Sequence, residues 1–364
     1  MTSSATNADR TDAPSGTSVA PGAALPVEFI ARWDLDKTYL RTEFDTLGDL
    51  VRTAFERPDR KRSVPGAAAL LRELGRTGAH IHILSGSPRQ MKSRLEEKLR
   101  IDRVRWDELT LKPNLGNMMR LRFRALRDQL GYKLPVLLGT RARDQLLGSD
   151  DELVGEVLVG DDAEADAFVY SLYADICAAT VNRIELERIL DAGQVYSDIR
   201  GECLDALPML RRGPVVERIL IHLDRQTPPS RFSDYGPRVV PFYNYLQAAF
   251  VLAEDGRLDG AAVLRVAQEF VVRYRFDADA LARSYLDLMR RGRVQGRLQA
   301  SLEAALPAFE PDAAGDQLPG MCEQIAGYIR ERPSGDPPPE PELDYVELAR
   351  RHKGGRNRTE RRKR

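Results

Sequence analysis

The sequence predicts an α/β fold in which a parallel sheet carries helices on both faces and is followed by an all-helical unit. Short apolar runs at 29–33, 80–84 and 156–159 are each followed by small or acidic polar residues. Amphipathic stretches at 66–74 and 118–130 lie between these runs. Alternation of apolar runs with helical patterns is typical of a parallel sheet with crossover helices.

The element boundaries follow from local signals. Pro65 is placed to start the first helix and Gly75 to stop it. The alternation ends near Ala206, and from Val215 to about Leu306 the apolar residues recur at helical spacing only. This second stretch is therefore predicted to contain helices and no strand.

The chain divides into four predicted parts. Residues 1–25 are rich in Ser, Thr, Ala, Gly and Pro and are predicted to be a disordered lead. Residues 26–206 form the predicted sheet unit, and residues 207–332 form the predicted helical unit. Residues 333–364 are predicted to be a Pro-rich linker followed by a basic, disordered tail.

Charge is balanced overall but unevenly distributed. The chain has 55 Lys and Arg against 55 Asp and Glu, which excludes binding of nucleic acid or acidic lipid through overall charge. The tail 350–364 contains nine Lys and Arg and one acidic residue, leaving 46 basic against 54 acidic residues elsewhere. We therefore expect an acidic body with a basic tail.

Cysteine usage and hydropathy indicate the cellular setting. Cys177, Cys203 and Cys322 are widely spaced and odd in number, which predicts neither a disulfide framework nor a cysteine-ligated zinc site. No apolar run approaches the roughly 18 residues of a membrane span, and the N-terminus does not resemble a signal peptide. We expect a cytoplasmic protein.

Polar residues follow the first two predicted strands at the edge where open parallel sheets bind ligands. Asp34 and Asp36 come one residue apart after the first strand. The second strand ends in Ser85 and Gly86, which offer a hydroxyl and free backbone N–H groups ahead of a helix that starts near Pro88. Such a turn is a natural cradle for an anion. Each motif alone is also compatible with an ordinary turn.

The third predicted strand is followed by four acidic residues within six positions, Asp161, Asp162, Glu164 and Asp166. Repulsion among such carboxylates is tolerated mainly where a cation is bound or solvent is close. A solvated helix N-terminus, which the helix dipole favours, is the alternative explanation.

Together, the strands end in D-x-D-x-T, then Ser, then G-D-D-x3-D, in that order and separated by helical spacers. This ordered set resembles the haloacid dehalogenase (HAD) superfamily of phosphohydrolases over residues 27–180. The segments I-L-S-G-S-P-R-Q-M and G-D-D-A-E-A-D-A-F-V-Y are similar to the actin-patch-type phosphatidate phosphatase catalytic family. Arg89 stands where that family has an aromatic residue after the Ser-Pro, and Asp162 stands where it has Ser after the metal-binding Asp. The resemblance therefore does not identify the substrate.

The resemblance implies a role for each motif residue. Asp34 would attack phosphorus and form an aspartyl-phosphate, and Asp36 would protonate the leaving oxygen and then activate water. Asp34, the backbone carbonyl of Asp36 and Asp161 would hold Mg²⁺. Ser85 and the amide of Gly86 would bind phosphoryl oxygens.

Three further residues support this set. Thr38 is expected to cap or brace the loop after the first strand, and Asp162 and Asp166 are expected to lie behind the metal ligands. A lysine is also required to balance charge around the nucleophile. Lys133 and Lys112 both qualify, and Lys133 is favoured because it precedes Asp161 by 28 residues, closer to the superfamily pattern.

The predicted activity is that of a Mg²⁺-dependent phosphomonoester hydrolase. The short gaps around Ser85 are too small for a full cap domain, so a large phosphorylated substrate such as phosphatidate is expected. A nucleic-acid terminal phosphatase is the alternative enzyme, and a non-catalytic phosphate-binding interaction protein is the alternative from another class. The tail 350–364 is a candidate for binding an anionic membrane surface or nucleic acid.

Overall fold

The computed structural model describes most of the chain between residues 27 and 352. The described ranges are 27–36, 38–40, 63–112, 126–145, 147, 153–163, 165–309, 315–332 and 339–352. The predicted disordered lead and residues 353–364 of the tail lie outside these ranges. Parts of the two gaps in which a cap was expected to be absent, residues 37, 41–62 and 113–125, also lie outside them.

Six parallel strands form one sheet in the order β3-β2-β1-β4-β5-β6. The strands are β1 (Phe29–Asp34), β2 (His80–Pro88), β3 (Glu108–Lys112), β4 (Gly155–Asp161), β5 (Val216–His222) and β6 (Val239–Phe242). The chain adds strands first to one side of β1 and then to the other, so the strand order reverses between β1 and β4. In open α/β sheets a crevice forms at the carboxyl ends of the strands at such a reversal.

The three strands predicted from sequence are confirmed, and each extends further than predicted at its carboxyl end. All six side chains of β1 are buried, as expected for a strand covered on both faces. Asp34 pairs with Leu84 in β2, while Trp33 pairs with Val159 in β4. The carboxyl ends of β1, β2 and β4 therefore lie side by side.

Helices cover both faces of the sheet, as predicted. Their bounds are α1 (Ala67–Arg76), α2 (Lys92–Ile101), α3 (Leu126–Asp144), α4 (Asp166–Cys177), α5 (Arg183–Ala192), α6 (Ser197–Ala206), α7 (Tyr245–Glu254), α8 (Gly260–Tyr274), α9 (Ala278–Arg290), α10 (Leu298–Ala305) and α11 (Gln317–Glu331). Alternate strand residues divide the core: Val157 and Val159 contribute to one apolar cluster, and Leu158 to the other. α1, α2 and α7–α11 pack on the first face, and α3–α6 on the second.

The prediction that residues 215–306 contain helices only is wrong, because β5 and β6 belong to this stretch. Ile219 and Ile221 face one apolar cluster and Leu220 the other, so this run is buried on both sides. A short apolar run of this kind cannot be distinguished from a buried helix segment by periodicity alone. The apolar faces of α7–α11 belong to the same cluster as β1 and α1, and the predicted boundary near Ala206 stays a prediction.

The C-terminal segment, residues 339–352, also departs from the prediction. Residues 345–352 are helical, and this helix includes residues 350–352 of the basic tail, for which disorder was predicted. Tyr345 and Ala349 are buried in the cluster on the α4 face, and the Tyr345 hydroxyl donates to Asp175 Oδ2 at 2.6 Å. The apolar side chains of this segment are sufficient to anchor it, because they repeat at helical spacing.

A buried ionic network crosses the second face of the sheet. Arg32 on β1 donates to both carboxylate oxygens of Glu156 on β4, at 2.8 and 2.9 Å. Arg141 and Tyr173 donate to the same carboxylate at 2.9 and 2.7 Å. Burial alone would raise the pKa of Glu156, but the Arg32 guanidinium holds that pKa below its ordinary value.

Within the part of the chain that the structure describes, every helix is too short or too polar to cross a bilayer. The predicted cytoplasmic location stays a prediction.

Candidate active site

The candidate site lies at the carboxyl edge of the sheet, beside the reversal of strand order. Asp34 is the last residue of β1, Ser85 lies in the carboxyl-terminal half of β2, and Asp161 is the last residue of β4. Because neighbouring parallel strands end together, three motifs that are far apart in sequence converge at one edge.

Three buried carboxylates form the centre of the site. Asp34, Asp161 and Asp166 are at most 1% exposed, and one oxygen from each lies within 4.8 Å of the others. Like charges at this spacing repel one another strongly when they are shielded from water. A cation is therefore needed for all three to be ionised.

Lys133 supplies one positive charge to this cluster. Its Nζ lies 3.5 Å from Asp34 Oδ1 and forms an ion pair with Asp166, and the lysine side chain is 2% exposed. The three carboxylates still exceed the one ammonium by two charges. An all-oxygen donor set with an excess negative charge fits a hard divalent cation such as Mg²⁺.

The position of Asp166 differs from the prediction that placed it behind the metal ligands. Asp166 is the first residue of α4 and belongs to the carboxylate cluster itself. Its Oδ2 accepts a hydrogen bond from the backbone N–H of Asp161 at 3.0 Å. Gly160 permits this approach, because a Cβ there would lie 2.3 Å from Asp166 Oδ2.

The two candidate lysines are placed differently. Lys133 projects from α3, which spans Leu126–Asp144. Of the helix predicted at 118–130, residues 126–130 belong to α3 and residues 118–125 lie outside the described ranges. Lys112 is the last residue of β3, and its side chain is outside the described part of the structure. Lys133 has the geometry that charge balance around Asp34 requires.

Asp36 lies on the loop after β1 and is half-buried. The Ser85 hydroxyl donates to Asp36 Oδ2 at 3.0 Å, and the backbone N–H of Ser87 donates to Ser85 Oγ at 3.0 Å. A Cβ on Gly86 would lie 3.8 Å from Asp36 Oδ2. Ser85 and Gly86 thus lie directly beside the carboxylate that was predicted to act as acid and base.

Thr38 braces this loop, as predicted. Its hydroxyl lies 3.3 Å from Asp34 Oδ2 and 3.1 Å from the backbone oxygen of Asp36, and it can donate to either. The side chain is fully buried. Thr38 therefore links the two motif carboxylates at the end of β1.

Asp162 serves the neighbouring loop rather than the carboxylate cluster. Its carboxylate accepts hydrogen bonds from the backbone N–H groups of Arg225 and Thr227 at 2.8 and 3.0 Å. This contact fixes the loop that follows β5.

Sequence reasoning missed two tyrosines that support the site. The Tyr132 hydroxyl donates to the backbone oxygen of Ser85, and the Tyr245 hydroxyl donates to the backbone oxygen of Thr38 at 2.5 Å. Tyr132 directly precedes Lys133 in sequence, which is a signal that could have identified it. Tyr245 has no comparable signal, because it lies 207 residues from its partner.

Tyr245 is held in its neutral form. Burial raises the pKa of its phenol well above the ordinary value, and the Asp161 and Asp34 carboxylates raise it further. Its ring stacks on Trp33 at a centroid distance of 5.4 Å. Tyr245 is therefore a fixed hydrogen-bond donor beneath the β1 loop.

Comparison of the chain with protein-family models, with curated proteins and with solved structures finds no match.

Proposed function

We propose that the protein is a Mg²⁺-dependent phosphomonoester hydrolase of the HAD type that works through an aspartyl-phosphate. The observation that carries the proposal is the cluster of Asp34, Asp161 and Asp166 around Lys133, with Asp36 and Ser85 beside it. The strand order, with the motif residues at the ends of β1, β2 and β4, supports the HAD resemblance.

Asp34 is the proposed nucleophile. Its carboxylate oxygen attacks phosphorus, and the bond between phosphorus and the leaving oxygen breaks. Asp36 then gives its proton to the leaving oxygen, so that the product departs as a neutral alcohol. The Ser85 hydroxyl, 3.0 Å from Asp36 Oδ2, orients this carboxyl group.

In the second half-reaction Asp36 accepts a proton from water as the water oxygen attacks phosphorus. The bond between phosphorus and the Asp34 oxygen breaks, which releases inorganic phosphate and regenerates both carboxyl groups. Lys133 stays paired with Asp34 and Asp166 and reduces the negative charge that the phosphate dianion meets.

Mg²⁺ would be held by Asp34, Asp161 and the backbone carbonyl of Asp36, and the position of Asp166 makes it a fourth candidate ligand. When bound, the ion would neutralise charge on the nucleophile and on the phosphoryl oxygens. Phosphatidate remains a proposed substrate on the resemblance alone.

The test uses the full chain with Mg²⁺ and phosphoserine. Asp34→Asn should reduce hydrolysis to the background rate, because it removes the nucleophile at nearly constant volume. Asp36→Asn should slow turnover by roughly 10² to 10⁴ and should accumulate phosphoenzyme, which acid quenching with labelled substrate would trap. Asp198→Asn, on the exposed start of α6, is the matched control and should retain full activity.

Circular dichroism reports whether each variant is folded. A folded Asp34→Asn protein that hydrolyses phosphoserine at the wild-type rate would overturn the assignment of the nucleophile. Absence of hydrolysis by the wild-type chain, with Mg²⁺ and across phosphorylated amino acids, nucleotides and lipids, would favour the non-catalytic alternative.

A further inference from the structure

A groove of about 750 Å³ lies at the carboxyl edge of the sheet, and its lining includes residues that follow β5 and β6. Val64 also lines the groove, and its N–H donates to the backbone oxygen of Tyr39, three residues after Asp36. His222 lines the groove and pairs in register with Asp161. The groove is thus connected to the candidate active site through Tyr39 and through the pairing of β4 with β5.

Aromatic side chains form much of the groove. Tyr243 is 46% exposed although it follows a buried strand, so its ring is available for contact. Phe270, Tyr274 and Phe276 line the groove from the end of α8, and the ring of Phe270 lies 5.1 Å from that of Phe276. Phe270 is buried in the core, whereas Tyr243 is exposed and Tyr274 and Phe276 are half-buried. The rings of these last three residues favour stacking with a flat ring system.

Polar groups interrupt this aromatic surface. Asp224 and Gln226 lie in the wall on the loop that Asp162 holds through the N–H groups of Arg225 and Thr227. A carboxylate and an amide can bind the polar edge of a heterocycle, but they disfavour burial of an acyl chain.

Charge further restricts the occupant. Among the described residues that line the groove there is an aspartate but neither lysine nor arginine. A leaving group with its own negative charge would therefore be repelled, whereas an uncharged one would be accepted. The volume is within the range of small-molecule sites.

Resting on the proposed hydrolase function, we infer that this groove binds the leaving group of the substrate and that this leaving group is a nucleoside. The base stacks on Tyr243 and Phe276, and its polar edge faces Asp224 and Gln226. Hydrolysis would release the nucleoside hydroxyl, protonated by Asp36, together with inorganic phosphate. The phosphorylated nucleoside is a free mononucleotide, because an oligonucleotide leaving group would bring the negative charge of its phosphodiesters to the groove.

The experiment compares substrates that share a phosphomonoester and differ in leaving group. The full chain is assayed with AMP, a 5′-phosphorylated oligonucleotide, phosphoserine and phosphatidate in mixed micelles. Tyr243→Ala should lower kcat/KM for AMP by about tenfold, or about 1.4 kcal/mol, and leave phosphoserine unchanged. Tyr243→Phe should restore AMP hydrolysis, and Tyr196→Ala, an equally exposed tyrosine outside the groove, should have no effect.

The outcomes separate the two proposals. Hydrolysis of phosphoserine and AMP with equal efficiency, unchanged by Tyr243→Ala, would overturn the nucleoside inference and leave the hydrolase intact. Preference for phosphatidate that is lost in Tyr243→Ala would also overturn it, because the groove would then bind an acyl chain. Absence of hydrolysis with all four substrates would refute the hydrolase and the leaving-group site together.

A binding measurement adds a readout that does not require turnover. Adenosine should bind the full chain in calorimetry and should bind about tenfold more weakly to Tyr243→Ala. Equal binding to both proteins would contradict the inference. AMP should be hydrolysed with a higher kcat/KM than the phosphorylated oligonucleotide, and a preference for the oligonucleotide would contradict the inference of an uncharged leaving group.

Discussion

Substitution of Gly160 tests how closely Asp166 must approach β4. A Cβ at position 160 would lie 2.3 Å from Asp166 Oδ2, whereas ordinary contacts begin at 3.4 Å. In Gly160→Ala the Asp166 carboxylate must therefore retreat by about 1 Å. Its hydrogen bond from the Asp161 N–H, now 3.0 Å, would then be lost.

The expected consequences differ for stability and for activity. Loss of a hydrogen bond to a charged acceptor should lower the free energy of unfolding by about 1.5–3 kcal/mol. Displacement of this proposed metal ligand by about 1 Å should lower phosphoserine turnover by about 10²-fold. Urea unfolding measures the first quantity, and steady-state kinetics with saturating Mg²⁺ measures the second.

Gly139→Ala is the matched control. Gly139 lies inside α3 with no heavy atom within 4 Å of the position that a Cβ would occupy. Alanine there should raise the free energy of unfolding by about 0.5–1 kcal/mol and leave activity unchanged. Wild-type turnover in a folded Gly160→Ala protein would refute the reasoning, because it would show that Asp166 can move without consequence.

Two further predictions concern the buried ionic network and the tail. Glu156→Gln should lower the free energy of unfolding by about 3–5 kcal/mol at pH 7, because Arg32 and Arg141 lose the buried carboxylate that they share, although Arg32 retains its ion pair with Asp144. Since the folded-state pKa of Glu156 is lowered, its contribution is fully present above the ordinary value of 4.5 and is lost as the pH falls through the lowered pKa. The free energies of unfolding of the wild type and of Glu156→Gln, measured with urea, should thus converge only below about pH 4.5. A difference between these free energies that stays constant down to pH 3 would contradict the ion pair. Deletion of 353–364, which spares the packed helix at 345–352, should abolish salt-sensitive sedimentation with anionic vesicles or a gel shift with nucleic acid, without changing phosphoserine turnover. Retention of both interactions would exclude a recruiting role for the tail.

The positions of Asp34, Ser85 and Asp161 could be predicted from sequence because parallel strands present their carboxyl ends at one edge. The pairing of Asp34 with Leu84 is the direct consequence of this geometry. Lys133 stayed ambiguous, because spacing along the chain does not determine where a helix places a side chain. Its position on α3 beside Asp34 depends on how that helix packs against the sheet.

The features that sequence reasoning missed are tertiary. β5 was not recognised, because a buried run of apolar residues lacks the alternation that identifies a strand with one solvated face. Tyr245 reaches Thr38 only because α7 follows β6 and packs its first turn against β1. The ion pair between Arg32 and Glu156 likewise depends on strand register. Arg32 on β1 pairs with Leu158 on β4, and Glu156 lies two residues before Leu158, within reach of the Arg32 side chain.

The end of β4 links the carboxylate cluster to the groove. Asp161 is the last residue of β4, and Asp162 begins the turn that follows it. Asp161 lies with Asp34 and Asp166, while Asp162 accepts hydrogen bonds from the loop after β5. That loop carries Asp224, which lines the groove. Two adjacent aspartates thus fix the proposed phosphoryl site and the proposed leaving-group site relative to each other, because both depend on a single strand end.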